Sequence, residues 1–512
     1  MTVGRSAPKL LKPCNLKVID LIDSTPSQNL VEVLGEDLFL RICHFLPAVS
    51  LIWTSFGNSH LQSLLENVSV WRSLCYSLLD EAVITLHLKA CDPGIGEPGY
   101  EFWKTFFRAA WTAAGFFYEH RLREECLHSS ECFQQALQSG NEPGIQCIDG
   151  AVYFQMRQKV LGSSGHTASA LKSYILSIGG WRPWSSSNDL HVTVLDLKRM
   201  MLIEPAVAGS EKPERRLRHS SCTVRDFQAL QGQHSECVLV LGGCNDKSHV
   251  PCAGLKTLLF LTLEAEGSAG GRLQIRWRKE QATGQVPSGI WHHAADSFSK
   301  GTQVIVFGGD VPPQDPEFTF IGDRAYANYV YILDVNARRW ERVQTQGQIP
   351  HWRSLHFGGT FFSSQNSAEH FVIMGGCEEH LEIFRGGPPA TMLGYSLNLQ
   401  TLRWRRGVKG NSNFLPAPRM RFGAQRYGRH VLVYGGHGAD TIPQDEELLV
   451  LNSETLEWRR AQVINEPSEF GVAPAAALAG GCVLGGVQLG PRGAYPVPKL
   501  DFICLNPFGD IA

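Results

Sequence analysis

The sequence lacks the patterns that mark metal-binding, disulfide-rich, membrane-spanning and several catalytic classes of protein. Its 14 cysteines include no C-x-x-C pair, so neither a zinc site nor a disulfide framework is predicted. It contains no run of 18 apolar residues and no apolar signal-peptide core, so no membrane span or secretory leader is expected. P-loop, H-E-x-x-H, dinucleotide and nucleophile-elbow fingerprints are missing as well. We therefore expect a non-enzymatic chain with no cofactor and no bound metal.

The charge balance of the chain gives no indication of a polyanionic partner. Lys and Arg total 47 and Asp and Glu total 49, which leaves a net charge of -2. That balance predicts neither a nucleic-acid nor a membrane surface. Scattered cysteines fit a reducing compartment, where most behave as small buried hydrophobes, so we expect the cytoplasm, the nucleus or both. A chain of 512 residues is long enough for about two to four domains.

An internal repeat organises the C-terminal two-thirds of the chain. Its unit is an apolar run that closes on two glycines, first seen as YILSIGG at Gly179-Gly180. The spacings between successive copies are 63, 66, 67, 60 and 50 residues. Later pairs stand at Gly242-Gly243, Gly308-Gly309, Gly375-Gly376, Gly435-Gly436 and Gly485-Gly486. Repeats of this length indicate radial or linear arrays of one supersecondary unit.

Two further signatures accompany each glycine pair. A second apolar run follows it, and in three copies a tryptophan comes six residues after that run: Trp340, Trp404 and Trp458. Upstream stands Pro-x-x-Arg-x-x-His, intact at Pro213, Arg216 and His219 and again at Pro350, Arg353 and His356. In the third copy Ile290 replaces the arginine before His293, and the fifth is read as Pro418, Arg421 and Ala424. Histidines placed one per unit are expected to have structural roles.

Four short β-runs per unit predict a four-stranded antiparallel blade, and six units predict a six-bladed propeller. These residues resemble the kelch repeat over residues 150–512. The sixth unit ends without its outermost strand. The run AVYFQMR at 151–157 is predicted to supply that strand and so to remove an exposed sheet edge.

The N-terminal part predicts a small all-α module. Apolar residues from Leu34 onward recur at helical spacing, Pro47 ends the first helix, and a short helix follows Asn67. The strings 34–38 (LGEDL) and 70–75 (VWRSLC) resemble the opening and the end of an F-box. That resemblance implies docking to a Skp-type adaptor and, through it, to a cullin scaffold. The implied adaptor-binding residues are Leu34, Leu38, Ile42, Leu46, Pro47, Leu51 and Trp71.

The resulting prediction is a multidomain chain: an all-α F-box module and helical linker followed by an all-β, six-bladed kelch-type propeller. Its parts are a flexible N-terminus (1–28), the F-box (29–78), an aromatic-rich helical linker (79–145) and the propeller (146–512). Helical structure in the linker is expected to run from Trp103 on to Tyr118.

Binding is expected on loops rather than on strands. Antiparallel order places the loops after the Gly-Gly strands and the inter-blade loops on one face. Aromatic and charged loop residues resemble interface anchors, although loop packing explains each of them equally well. The candidate target-binding residues are Trp181, Arg182, Trp184, Asp310, Phe318, Phe320, Arg324, Trp352, Arg353, Glu378, His380, Phe384 and Arg385.

Together these features predict the substrate-recognition subunit of a Skp–cullin–F-box ubiquitin ligase. The F-box would hold the adaptor, and the propeller would hold an unidentified target protein. Two alternatives stay open. One is a kelch scaffold without a ligase link, and the other is a metal-dependent kelch enzyme.

Overall fold

A computed structural model describes most of the C-terminal part of the chain and a short helical part before it. The chain divides into two compact units, Met1–Ser73 and Leu74–Ala512. The structure describes residues 68–91, 98–112, 115–119, 163–183, 185, 187–199, 201–230, 233–245, 255–265, 273–287, 290–310, 329–363, 367–377, 392–407, 414–438, 448–463, 476–490, 493–496 and 500–505.

Three helices precede the sheets in the described part of the chain. They are α1 (Val68–Leu78), α2 (Glu81–Cys91) and α3 (Tyr100–Thr112). In α2 the Asp80 carbonyl accepts the Ile84 amide at 3.2 Å, so Asp80 takes the N-cap position. None of the described helices is long and apolar enough to cross a membrane.

Five sheets use strands that follow one another along the chain, and they are the blades of a β-propeller. Blade 1 has β2 (Thr167–Leu171), β3 (Tyr174–Ile178), β4 (Val192–Asp196) and β5 (Met201–Ile203). Blade 2 has β6 (Ala206–Ala208), β7 (Ser220–Leu230), β8 (Gln233–Leu241), β9 (Thr257–Ala265) and β10 (Leu273–Gln281). Blade 3 has β11 (Thr283–Gly284), β12 (Ala294–Phe298), β13 (Gln303–Phe307), β14 (Tyr329–Asp334) and β15 (Arg339–Gln344). Blade 4 has β16 (Gln346–Gly347), β17 (Phe357–Ser363), β18 (Ala368–Met374), β19 (Tyr395–Asn398) and β20 (Arg403–Arg406). Blade 5 has β21 (Gly423–Tyr427), β22 (His430–Tyr434), β23 (Leu449–Asn452) and β24 (Trp458–Arg460).

A further sheet combines segments that are far apart in the sequence. Its strand order is β25 (Gln462–Val463), β1 (Gly115–Glu119), β30 (Leu500–Leu505), β27 (Cys482–Leu484) and β26 (Ala477–Ala479). Strand β1 runs antiparallel to β30, with Phe117 opposite Cys504. A separate hairpin joins β28 (Val487–Gly490) to β29 (Gly493–Pro496).

The sheet corrects one sequence-based prediction about the linker. Strand β1 lies beside β30, whereas residues 151–157, predicted to close the last blade, lie outside the described residues. The helix expected to continue to Tyr118 ends at Thr112. Aromatic residues are compatible with both helices and strands. Pairing with β30 gives residues 116–119 backbone hydrogen bonds to a neighbouring strand, whereas a short isolated helix is only marginally stable.

The glycine pairs end the second strand of each blade at the same structural point. Both glycines of every pair have a positive φ; for Gly308 and Gly309 the values are 73° and 101°. A Cβ at Gly308 would lie 2.3 Å from the Arg353 carbonyl oxygen and 2.5 Å from His356 Cε1. A Cβ at Gly309 would lie 2.8 Å from His293 Cβ. The glycines therefore allow the histidine of one blade to rest against the preceding blade and against its own.

Gly308→Ala is expected to destabilise the propeller strongly, because the new methyl group meets a backbone carbonyl that cannot rotate away. We expect a loss of about 2–4 kcal/mol in the free energy of unfolding. Gly99→Ala is the matched control, since a Cβ there has nothing within 4 Å. The comparison is made by urea denaturation. Equal midpoints for the two variants would show that the glycine pair is not required for packing.

The repeated tryptophans lie on the last antiparallel strand of their blades, β15, β20 and β24, and are buried, as predicted. Trp340 is 1% exposed and packs with residues of blades 2 and 3. Its indole nitrogen donates to the Leu255 carbonyl at 3.0 Å, and that of Trp458 donates to the Met392 carbonyl at 2.7 Å. Each ring thus fills the space between neighbouring blades and satisfies its only donor there. Leu202 takes the equivalent position in blade 1 and is also buried.

The described cysteines behave as the sequence predicts. The free and buried ones are Cys75, Cys222, Cys237, Cys244, Cys377 and Cys482. Burial, assisted by Asp226, raises the pKa of Cys237 to about 12. Burial likewise raises the pKa of Cys75 and Cys222, so these three thiols remain protonated and contribute packing rather than reactivity.

Candidate functional site: the Gly-Gly face

Short backbone bridges tie the residue after each of the first five glycine pairs to the start of the same blade. They join Trp181 to Ser164, Cys244 to Leu217, Asp310 to Trp291, Cys377 to Ser354 and His437 to Met420. The loops after the second strands and the loops between blades therefore emerge together, as antiparallel order predicts. We call this end of the propeller the Gly-Gly face.

Immediately inside this face lies a layer of buried histidines. His219 Nε2 is 2.9 Å from the Thr167 hydroxyl of blade 1, and His293 Nε2 is 2.7 Å from the Ser220 hydroxyl of blade 2. Burial lowers the pKa of His293 to about 3, and the neighbouring His292 lowers it further. The histidines are consequently neutral at physiological pH and link each blade to the one before it, the structural role predicted from the sequence.

The histidine layer predicts acid sensitivity with a definite sign. An unfolded histidine takes up a proton near its ordinary pKa of 6.5, whereas folded His166 and His293 do so only near 4 and 3. Between those values the unfolded chain binds more protons, so stability is retained above pH 6.5 and falls as the pH drops. Each fully buried histidine is expected to remove about 1.4 kcal/mol per pH unit over that interval.

The measurement is the unfolding midpoint between pH 7.5 and 4.5. His293→Phe is expected to give a shallower pH dependence, because phenylalanine cannot be protonated and already occupies the corresponding position in blade 5 as Phe422. The exposed His351, changed to Phe, is the control. Parallel slopes for all three proteins would contradict the assignment.

The fifth repeat corrects the register read from the sequence. Its arginine is Arg419, whose Nη1 donates to the Gly435 carbonyl at 3.2 Å. Arg216 and Arg353 make the same bond to Gly242 and Gly375, each at 3.1 Å. The sequence PAPRMRF offers two overlapping Pro-x-x-Arg matches, and only the packing against the glycine pair distinguishes them.

The residue before each histidine, or before Phe422 in blade 5, has a left-handed backbone. These residues are Gly165, Arg218, His292, Leu355 and Arg421, with φ values of 67°, 61°, 56°, 58° and 51°. Backbone hydrogen bonds join these residues from one blade to the next, and we call this series of bonds the relay. The Arg218 amide donates to the Gly165 carbonyl at 2.7 Å, and the His292 amide donates to the Arg218 carbonyl at 2.9 Å. A left-handed conformation at non-glycine residues is uncommon and clusters at functional sites.

Three of these positions bring charge-bearing side chains together; with Asp310 we call them the channel mouth. His292 Nδ1 donates to Asp310 Oδ2 at 2.6 Å. Burial lowers the pKa of His292 to about 4, Asp310 raises it, and Arg218 and Arg421 lower it. Burial also lowers the pKa of Arg421, followed by the effect of Arg218, whereas Asp310 raises it. The two guanidinium groups and the His292–Asp310 pair therefore share one neighbourhood.

Most described candidates for target contact are buried. Arg182 is 2% exposed and donates to the Thr193 hydroxyl at 3.3 Å. Trp352 donates to the Gly309 carbonyl at 2.7 Å. Arg353 is 1% exposed and stacks over Tyr395 at 5.2 Å. Asp310 is bound to His292. These aromatic and charged loop residues thus hold the blades together. Loop packing was the alternative to target contact that the sequence left open.

Trp181 is the most accessible of the described candidates. It is half-buried and packs against Leu217, Cys244 and Trp291 beside the channel mouth. The other candidates lie outside the described residues: Trp184, Phe318, Phe320, Arg324, Glu378, His380, Phe384 and Arg385.

Among the adaptor-binding candidates only Trp71 is described. It lies in α1 and is 4% exposed within the chain. Its contact with an adaptor stays a prediction, as do those of Leu34, Leu38, Ile42, Leu46, Pro47 and Leu51, which lie outside the described residues.

Sequence reasoning missed Arg218, His292 and Arg421 as site residues. Arg218 and His292 stand directly before the histidine of their repeat signature, a position visible in the sequence, whereas Arg421 takes this position only in the register that the structure shows. What was not visible is the left-handed backbone that this position adopts in every described blade.

Comparison with known proteins gives partial similarity only. No protein-family model matches the chain. Acyl-CoA-binding domain-containing proteins 5 and 4 of Arabidopsis thaliana are each 29% identical, over 32% and 31% of this chain and 22% and 20% of their own lengths. Adagio protein 3 of Arabidopsis thaliana is 26% identical over 41% of this chain and 32% of its own. The chain thus spans about a third or less of these relatives.

Proposed function

We propose that this chain is a protein-binding receptor that presents its target on the Gly-Gly face. Two features of the propeller support this proposal. The residues of the repeat signature form hydrogen bonds that join the blades, and charged side chains lie together at one end of the propeller axis. A rigid scaffold that carries accessible groups on one loop-bearing face is suited to binding rather than to covalent chemistry. We accordingly propose a non-catalytic role without a cofactor.

We further propose that the propeller is a closed ring of six kelch-type blades. In blades 2, 3 and 4 a short strand from the preceding segment runs parallel to the outermost strand, and β25 runs parallel to β1 in the same way. The innermost strands also contact one another in order, from β2 through β7, β12, β17, β21 and β26 and back to β2. Both regularities support β1 as the closing strand of blade 6.

The proposed partner at the N-terminus is a Skp-type adaptor bound to a cullin scaffold. The support is the F-box resemblance of residues 34–75. In such an assembly the receptor raises the effective concentration of its target near a ubiquitin-conjugating enzyme. The buried free thiols favour a reducing compartment, so we propose the cytoplasm, the nucleus or both. We propose neither nucleic acid nor a membrane as a partner.

The test is co-purification with a Skp-type adaptor. The intact chain is expected to retain the adaptor, and Leu38→Ala combined with Ile42→Ala is expected to lose it without a change in the propeller's unfolding midpoint. The matched control is Leu171→Ala in blade 1, which lowers stability but leaves the adaptor bound. If the intact chain retains no adaptor, the ligase proposal fails and a kelch scaffold remains.

A further inference from the structure

Arg218 and Arg421 are charged groups of the channel mouth that pair with no side chain in the described part of the chain. Neither guanidinium makes a hydrogen bond or an ion pair with another described residue, although both side chains are half-buried. By contrast, Arg216, Arg353 and Arg419 of the repeat signature are each bound to a glycine carbonyl. A partly desolvated guanidinium retains five donors and a full charge.

Their backbones are held in place before any ligand arrives. Arg218 donates its amide to Gly165 and accepts the amide of His292, while Arg421 stands next to the bridge between Met420 and His437. Each residue also has a positive φ, which the surrounding packing must impose. A side chain on a pinned backbone loses less freedom on binding than one on a free loop.

The position of the two arginines follows from the ring. In the proposed six-bladed ring, blades 2 and 5 stand on opposite sides of the axis. Arg218 of blade 2 still lowers the pKa of Arg421 of blade 5, after the larger effect of burial. Both residues come just before the innermost strand of their blade, β7 or β21, so both stand on the axial side of the Gly-Gly face. His292 of blade 3 lies between them in the ring order and is affected by both.

We propose that the channel mouth grips a carboxylate of an acidic peptide segment of the target, between Arg218 and Arg421. This inference rests on the proposed function, because it names the chemistry of the target that the Gly-Gly face holds. Arginine's planar fork matches a carboxylate with two parallel hydrogen bonds. Half-buried Trp181, packed on Trp291 beside the mouth, offers an apolar flank for the rest of the segment.

Charge counting favours a carboxylate over a phosphate. The described groups of the mouth carry two positive charges and the negative charge of Asp310, while His292 is neutral at pH 7 because its pKa is about 4. One net positive charge suits a monoanion. A phosphoryl group of nearly two negative charges would meet the carboxylate of Asp310 without full compensation.

The test uses the full chain and three fluorescein-labelled peptides: hexaglutamate, hexaglutamine, and a hexaglutamine with one phosphoserine in the middle. Binding is followed by fluorescence polarisation at 50 and 300 mM salt. We expect hexaglutamate alone to bind, and to bind more weakly at high salt, because part of the affinity is electrostatic.

The decisive variant is Arg218→Asn with Arg421→Asn. Asparagine tolerates a left-handed backbone, so the charge is removed without disturbing the relay. We expect at least a tenfold loss of affinity for hexaglutamate. Arg339→Ala with Arg403→Ala removes two exposed arginines from outer strands and matches the change in net charge. This control is expected to bind like the original chain. Arg218→Lys with Arg421→Lys is expected to recover only part of the affinity, since an ammonium group lacks the fork.

The proposal is overturned if the asparagine variant binds hexaglutamate as tightly as the original chain, if both double variants lose affinity equally, or if only the phosphoserine peptide binds. Absence of binding by any peptide overturns it too. Each of these results leaves the adaptor co-purification unaffected, so failure of this inference is distinguishable from failure of the receptor proposal.

Discussion

A chain that begins at residue 121 is expected to fail to fold at 37 °C, although it retains all five blades built from consecutive strands. It lacks β1, so β30 becomes an exposed edge that can pair with other chains. It also lacks α2, whose Ala82 and Leu86 approach the turn at Gly480 and Gly481.

The size of this effect follows from what the lost segment buries. Val83, Ile84 and Leu86 of α2 are at most 1% exposed, and each contributes roughly 1.5–3 kcal/mol through burial. Trp103, Phe106 and Phe107 of α3 are also buried. Their sum is comparable to the whole stability of a domain, about 5–15 kcal/mol. Ala82 and Leu86 share one core cluster with Ile175 of blade 1 and Leu500 of β30, so α2 is part of the propeller's core rather than a spacer in front of it.

The measurement is the soluble yield and the unfolding midpoint of the shortened chain, with and without a synthetic peptide of residues 78–119. The peptide is expected to restore a cooperative transition. A peptide carrying Phe117→Pro is the matched control, because proline cannot donate a backbone hydrogen bond and disfavours an interior strand position. A shortened chain as stable as the intact protein would refute β1 as a required strand.

Asp226→Ala is expected to cost about 3–5 kcal/mol of unfolding free energy, the range found when one partner of a buried ion pair is removed. Asp226 is fully buried at the contact between blades 2 and 3. Both of its carboxylate oxygens lie 3.0 Å from Arg338 Nη2, and it also accepts a hydrogen bond from Arg278. Both guanidinium groups stack over Phe260, at 4.6 and 4.9 Å.

Once the carboxylate is removed, the longer contact with Glu280, 3.8 Å from Nε, is the only ion pair that buried Arg338 keeps among the described residues, and this loss is the source of the cost. Glu264→Ala is the matched control: it deletes the carboxylate paired with Arg276 at an exposed position on blade 2, where no measurable change is expected. The midpoint of urea denaturation is measured for both. Replacing the pair by Asp226→Leu with Arg338→Met is expected to recover much of the loss. Equal midpoints for Asp226→Ala and Glu264→Ala would show that this cluster does not hold the two blades together.

The strands of the propeller could be predicted because their signals are local. An apolar run that ends on two glycines, such as VIVFGG at Gly308-Gly309, predicts both a strand and the residue at which the strand ends. A tryptophan six residues after the next run, such as Trp340, identifies the outermost strand, since only a position between blades buries so large a ring.

The channel mouth and the closing strand could not be predicted in the same way. Arg353 and Arg218 are both arginines of inter-blade loops, yet Arg353 donates to a glycine carbonyl, whereas the guanidinium of Arg218 makes no hydrogen bond with another described residue. Likewise AVYFQMR and GFFYE are both plausible strands, and only GFFYE is paired with β30 among the described residues.

By itself, the sequence determined the blade: its strands, its glycine turns, its buried tryptophans and its linking histidines, because each depends on residues a few positions apart. Only the tertiary structure decided which distant segment pairs with the last strand and which charged side chains share the channel mouth. Those outcomes depend on residues far apart in the sequence, such as Phe117 and Cys504, which lie opposite each other in the sheet. Arg218 and Arg421 are another such pair, since Arg218 adds to the effect of burial in lowering the pKa of Arg421. Periodicity along a chain carries no information about such contacts.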